Sequence, residues 1–162
     1  FTQISLPLLS PGTNESLRAF VIGDFNQDGF QDMYASYYWG GNHPDRLWLN
    51  NKNTNHYLSV RLIGTQSNRS SVGAKITLKA GGKTQIREVR AGESYGISNS
   101  LTQYFGIGAT TQIESLEVRW SSGKKIELQN PTIDQLLTLT EPSTNCTEPQ
   151  ACVSITYKVI KP

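Results

Sequence analysis

The residues with the plainest chemical potential lie between 21 and 35, in VIGDFNQDGFQDMYA. Counting from Asp24, Asn26 and Asp28 occupy positions three and five, Gly29 position six and Asp32 position nine. All of these polar side chains carry oxygen donors. Alternate side chains converge when the backbone coils tightly, as Gly29 permits, and the Phe30 carbonyl then serves position seven. An all-oxygen set of this kind suits a hard cation, and the predicted site is Ca2+ held by Asp24, Asn26, Asp28, the carbonyl of Phe30, and Asp32. Three Asp side chains within nine residues repel one another without a cation, which favours the metal over a plain Asx-turn hairpin facing water. An EF-hand is the wrong home. Position twelve is Ala35 rather than Glu, and the following DMYASYYW reads as a strand, not a helix.

The elements that must hold this loop are strands. In YLSVRLIG, Leu58, Val60 and Leu62 share one face while Ser59 and Arg61 share the other; in ESLEVRW, Leu116, Val118 and Trp120 oppose Ser115, Glu117 and Arg119. The same alternation places Ile76, Leu78 and Ala80 together in KITLKA, Ile126 with Leu128 in KIELQ, and Leu137 with Leu139 in LLTLTE. KAGGKT, RAGES, GIGATT and SSGKK carry Gly where hairpins need positive φ. No apolar pattern keeps a helical period for three turns, so an all-β chain is predicted, with at most a short helical turn near PTIDQL.

Both ends also alternate. FTQISLPLLS is separated from the rest by the breaker-rich PGTNES, and CVSITYKVIKP closes the chain. Pro7 confines the first of these to an edge or a bulge. Residues 1–10 either fold back onto their own domain or are donated to a second copy, which, repeated head to tail, gives a homo-polymer filament.

Other chemistry is thinly supplied. His43 and His56 are the only histidines, and no motif sets a nucleophile or third ligand beside them. Glu88, Glu93, Glu114 and Glu117 are spread over strands and turns, and KAGGK and GIGAT lack the ending of a phosphate loop. The chain is therefore not expected to be an enzyme. Tyr34, Tyr37, Tyr38, Trp39 and Trp48 cluster near the acidic loop. Tyr38, Trp39, Asn42 and His43 could offer sugar rings a stacking surface with polar partners, or the aromatics could fill a β-core.

The 162 residues suffice for one domain with a real core, or a small unit beside a larger one. Lys and Arg number 15 against 13 Asp and Glu, a net +2 with the basic residues scattered, so no nucleic-acid footprint appears. No apolar run approaches the ~20 residues of a transmembrane segment. The initial Phe fits a processed chain or an excised fragment. Cys146 and Cys152 flank a Pro149 turn in NCTEPQAC, which suggests a disulfide, with two free thiols as the alternative. A bridge implies an oxidising, secreted or extracellular setting, and the glycosylation sequons at Asn14, Asn68 and Asn145 agree with it.

Two resemblances follow from quoted segments. FVIGDFNQDGFQDMYASYYWGGNHPDRLWLNN resembles one calcium-binding repeat of the FG-GAP or VCBS type, the blade unit of integrin-like propellers. GAKITLKAGGKTQIREVRAG, YFGIG and VRWSSG, in that order, are similar to the ASPIC/UnbV domain that follows such repeats in secreted proteins; Ser121 stands where that family usually has Pro. The resemblance implies calcium at the acidic loop and no catalytic residue. A lone repeat cannot close a propeller, which needs about four blades or more. The expectation is an antiparallel β-sandwich-like domain with an inserted or appended calcium-loop hairpin. Its divisions are an N-terminal strand and linker (1–18), the repeat (19–51), the ASPIC/UnbV-like domain (52–141), and the disulfide loop with the last strand (142–162). The expected function is a non-catalytic, calcium-stabilised extracellular module for adhesion or surface assembly, with protein or glycan partners. The alternative is a carbohydrate-binding module of a larger secreted protein.

Overall fold

The computed structural model describes residues 16–38, 45–93, 95–143 and 155–159, and among them eleven strands form three sheets without a helix. The first sheet is small. β1 (Ser16–Gly23) returns antiparallel as β2 (Asp32–Tyr38), and β3 (Arg46–Trp48) adds to the other side of β2. Gly23 pairs directly with Asp32, so the acidic segment is the loop of this hairpin.

The remaining strands make two four-stranded sheets. β4 (His56–Ile63), β7 (Gln103–Gly108), β10 (Gln135–Thr140) and β11 (Ile155–Val159) lie in the order β11-β10-β4-β7. β5 (Lys75–Ala80), β6 (Lys83–Glu88), β8 (Ile113–Arg119) and β9 (Lys125–Gln129) lie in the order β6-β5-β8-β9. The turn between β5 and β6 has two residues. Gly81 and Gly82, at φ of +57° and +70°, link the paired Ala80 and Lys83, as a tight right-twisted hairpin requires.

Period-two alternation builds the core. Leu58, Val60 and Leu62 of β4, Phe105 of β7, and Leu137 and Leu139 of β10 are buried in one cluster with Ile76 and Leu78 of β5, Leu116 and Val118 of β8, Ile126 of β9, and Trp120. Each large side chain in that cluster contributes about 1.5–3 kcal/mol by leaving water.

Three features depart from expectation. β10 pairs with β4 in parallel, Leu136 opposite Ser59 and Thr140 opposite Ile63, so the arrangement is not wholly antiparallel. PTIDQL forms a bend rather than a helical turn, because Asp134 takes a left-handed φ of +56° and its N–H bonds the Tyr57 carbonyl. Ser59, assigned by parity to a wet face, is 2% exposed. It lines a cavity shared with Asp24 and Gln27, so the acidic loop covers that side of β4.

A buried carboxylate locks one end of the two large sheets. Glu141, just past β10 and 2% exposed, accepts the N–H groups of Thr65, Gln66 and Ser67 on Oε2, and the hydroxyls of Ser67 and Ser122 on Oε1. Burial alone would raise its pKa. The Ser122 hydroxyl and the Ser67, Thr65 and Gln66 N–H groups overcome that and hold it at about 2. The turn containing Ser121 is closed by Gly123 N–H to Trp120 O at 3.0 Å and Trp120 N–H to Lys124 O at 2.9 Å.

The N-terminal segment 1–15, Trp39, Asn42, His43, the sequons at Asn14 and Asn145, and Cys146 with Cys152 lie outside the described residues. The C-terminal alternation is realised within the chain: β11 pairs antiparallel with β10, Leu139 opposite Ile155.

Candidate functional site

The acidic loop is organised by its own carboxylates. Asp24 accepts the Asp28 N–H on Oδ1 and the Gly29 N–H on Oδ2, each at 2.9 Å. Asp28 Oδ1 accepts the Phe30 N–H at 2.9 Å, while Asn26 accepts from the Asp28 N–H and donates its amide to Asp28 Oδ2. Positive φ at Gln27 (+60°) and Gly29 (+92°) coils the backbone enough for these short bonds. Asp32 also reaches beyond the loop. Buried at 2% exposure, it accepts the Phe25 N–H on Oδ2 and the Asn50 N–H on Oδ1, tying the loop to the segment after β3.

The loop rests on the outer face of β4 and β7. Gly29 is required there, since a Cβ would lie 2.0 Å from the Tyr57 ring. Phe30 and Tyr57 meet with ring centroids 5.6 Å apart, the Asp24 N–H donates to the Tyr104 hydroxyl, and the Ile22 N–H donates to Asn99. Burial, with the Asp134, Asp24 and Asp28 carboxylates adding to it, pushes the Tyr57 hydroxyl up to about 12 and keeps it a hydrogen-bond donor.

The donor set passes a chemical test for a hard cation. Asp24, Asn26, Asp28, Asp32 and the Phe30 carbonyl offer oxygen only; each Asp24 oxygen and Asp28 Oδ1 accepts a single N–H, while Asp28 Oδ2 already meets the Asn26 amide and Lys52. The charge is uneven. The loop sequence carries three carboxylates, and Lys52 Nζ lies 3.5 Å from Asp28 Oδ2. Burial of Asp28 works against its charge, yet the Phe30 N–H, the Asn26 amide and Lys52 hold the carboxyl below its ordinary value. Among the described residues, no three His, Cys, Asp or Glu side chains gather around one point; the loop's remaining oxygens come from Asn26 and the backbone.

The other described residues singled out by sequence are dispersed. Asn68 is exposed, and its side-chain amide donates to the Val72 carbonyl while its oxygen accepts the Val72 N–H. Of the aromatic cluster, Tyr34 donates its hydroxyl to Asp45 and Tyr37 lies under the Arg46 guanidinium at 4.8 Å, so both brace the small sheet. His56 holds Asp134 through Nδ1 at 2.7 Å. Asp134 itself went unnoticed, since its partners lie far back along the chain at residues 56 and 57. No nucleophile, base and orienting group assemble among the described residues, and no helix there is long and apolar enough to cross a membrane.

The sequence model described as ASPIC and UnbV matches residues 64–145, half of the chain; it begins after β4 and leaves out the acidic loop. A comparison with curated proteins finds no match. Among solved structures, one from Bacteroides ovatus ATCC 8483, provisionally described as a cell adhesion protein, is similar at 12% identity with a TM-score of 0.29. That likeness spans 91% of this chain and 60% of the other, and is too remote to bear on fold or function.

Proposed function

Because this chain belongs to the ASPIC and UnbV family, we propose that it is a non-catalytic β-module of an extracellular surface, stabilised by calcium and used for adhesion or assembly with protein or glycan partners. The observation that carries the reading is the acidic loop. It concentrates carboxylates, of which Asp28 meets Lys52, and lies directly on the β4 and β7 face, next to Tyr57 and Tyr104. Asp24, Asn26, Asp28, the Phe30 carbonyl and Asp32 would hold the ion, Asp32 also setting the loop's exit. When bound, the ion would neutralise the loop's mutual repulsion.

In this reading residues 19–51 are an FG-GAP/VCBS-like hairpin unit appended to a sandwich-like domain at 52–141. The 142–162 segment adds a disulfide loop and the last strand. The extracellular setting is supported by the cysteine spacing and the sequons.

Thermal unfolding tests the proposal. A ligand of the folded form alone, at about 100 times its Kd, adds about 2.7 kcal/mol, which raises Tm by about 5–10 °C for a chain of this size. Calcium should give that rise over chelator in the native protein and none in Asp28→Ala. Equal melting of the native protein in both conditions refutes calcium stabilisation.

A further inference from the structure

Beside the acidic loop, a cleft of about 300 Å³ opens where the loop, the 52–55 segment, the start of β4 and the Asp134 bend meet. This volume is at the lower end for small-molecule sites. One wall is aromatic: Phe30 and Tyr57 stand tilted at 57° to each other. Lys52 faces Asp28 at 3.5 Å, and the Asp134 carboxylate is hydrogen-bonded by His56 at 2.7 Å. The cleft therefore has no surplus cation to attract a phosphate or carboxylate.

Its remaining capacity is neutral hydrogen bonding. Thr54 and Asn55 are exposed and make no side-chain hydrogen bond among the described residues. Asn53 spends its oxygen on the Asn55 N–H and keeps its amide hydrogens. A carboxylate only accepts, so His56 donates from Nδ1 to Asp134 and leaves Nε2 as an acceptor. Neutral donors and acceptors thus line the cleft together with its aromatic wall. The rims are pre-shaped, with Lys52 at φ +59° and Asp134 at +56° held left-handed by bonds to Asn50 and Tyr57.

We propose that this cleft is a binding subsite for a single neutral sugar ring, whose C–H face would stack on the Phe30–Tyr57 wall and whose hydroxyls would meet Thr54, Asn53 and Asn55. Its residues differ from the Tyr38, Trp39, Asn42 and His43 set suggested by sequence. It deepens the surface-module reading by giving it a glycan ligand, and it relies on that reading only for the setting. Calcium dependence of melting and sugar binding are separate measurements, so either can fail alone.

The test is a nitrogen-15 NMR titration of the full chain with methyl α-mannopyranoside, methyl β-galactopyranoside and methyl β-N-acetylglucosaminide, and with N-acetylneuraminic acid as the anionic comparison. At least one neutral glycoside should shift the amides of residues 28–30, 52–57 and 134 together, with a Kd of about 1 mM. Combining Thr54→Ala with Asn55→Ala should weaken that Kd about tenfold, equivalent to one or two lost hydrogen bonds, while leaving thermal unfolding unchanged because both side chains are exposed. The proposal is overturned if no neutral glycoside moves these amides, if the acidic sugar binds as tightly, or if the double variant binds like the native chain.

Discussion

Glu141→Gln isolates the energetic worth of a buried negative charge with almost no change of shape. The glutamine oxygen can still accept from Thr65, Gln66 and Ser67, and its NH2 would face the Ser67 and Ser122 hydroxyls, which can rotate to receive it. The lost quantity is therefore charge assistance. Holding the carboxyl at about 2 rather than its ordinary 4.5 corresponds to about 3 kcal/mol at about 1.4 kcal/mol per pH unit. Water around the exposed 65–66 loop screens part of this, leaving an expected loss of about 2 kcal/mol at pH 7.

The pH dependence identifies the cause. A carboxyl whose folded pKa is depressed stabilises the fold above its unfolded value, so the contribution is present above about 4.5 and is lost as pH falls through about 2. Urea unfolding of the native chain and Glu141→Gln across that range should show a gap of about 2 kcal/mol at pH 7, narrowing to nearly zero at pH 2. A gap that stays constant with pH would mean that packing, not charge, was lost. No gap at pH 7 would refute the reasoning outright.

Gly29→Ala should cost about 1–3 kcal/mol, since the methyl would enter the Tyr57 ring and the +92° backbone resists a side chain; faster hydrogen exchange at Asp28, Gly29 and Phe30 would register the undocked loop, and unaltered stability would contradict it. We further expect the Cys146–Cys152 bridge to remove two hydrogens from the intact mass and add about 2 kcal/mol of stability; alkylation of both thiols without reduction would rule it out.

The strands were legible because their period is local. Leu58, Val60 and Leu62, or Ile76 and Leu78, announce a buried face within a few residues, and GG between KITLKA and KTQIRE announces a two-residue turn. The relations that escaped are long-range. Nothing near Glu141 in LTLTEPST indicates that its donors are at residues 65–67 and 122, and Ser59 reads as solvent-facing until the acidic loop is placed over it. In the loop, sequence alone explained why a glycine suits a tight coil at position 29. That Tyr57 also occupies the space of its missing side chain required the fold.

The parallel pairing of β4 with β10 has a mechanical consequence. β11 folds back on β10 so that Val159 lies beside Gln135, at the end where β4 begins, and tension on the C-terminal side therefore peels β11 from β10 one residue pair after another. β10 is then drawn from its own C-terminal end while β4 is held from its N-terminal end. In that geometry the pairs from Ser59–Leu136 to Ile63–Thr140 bear the load together, so a strand that unzips under weak pull precedes a clamp that must be sheared as a whole.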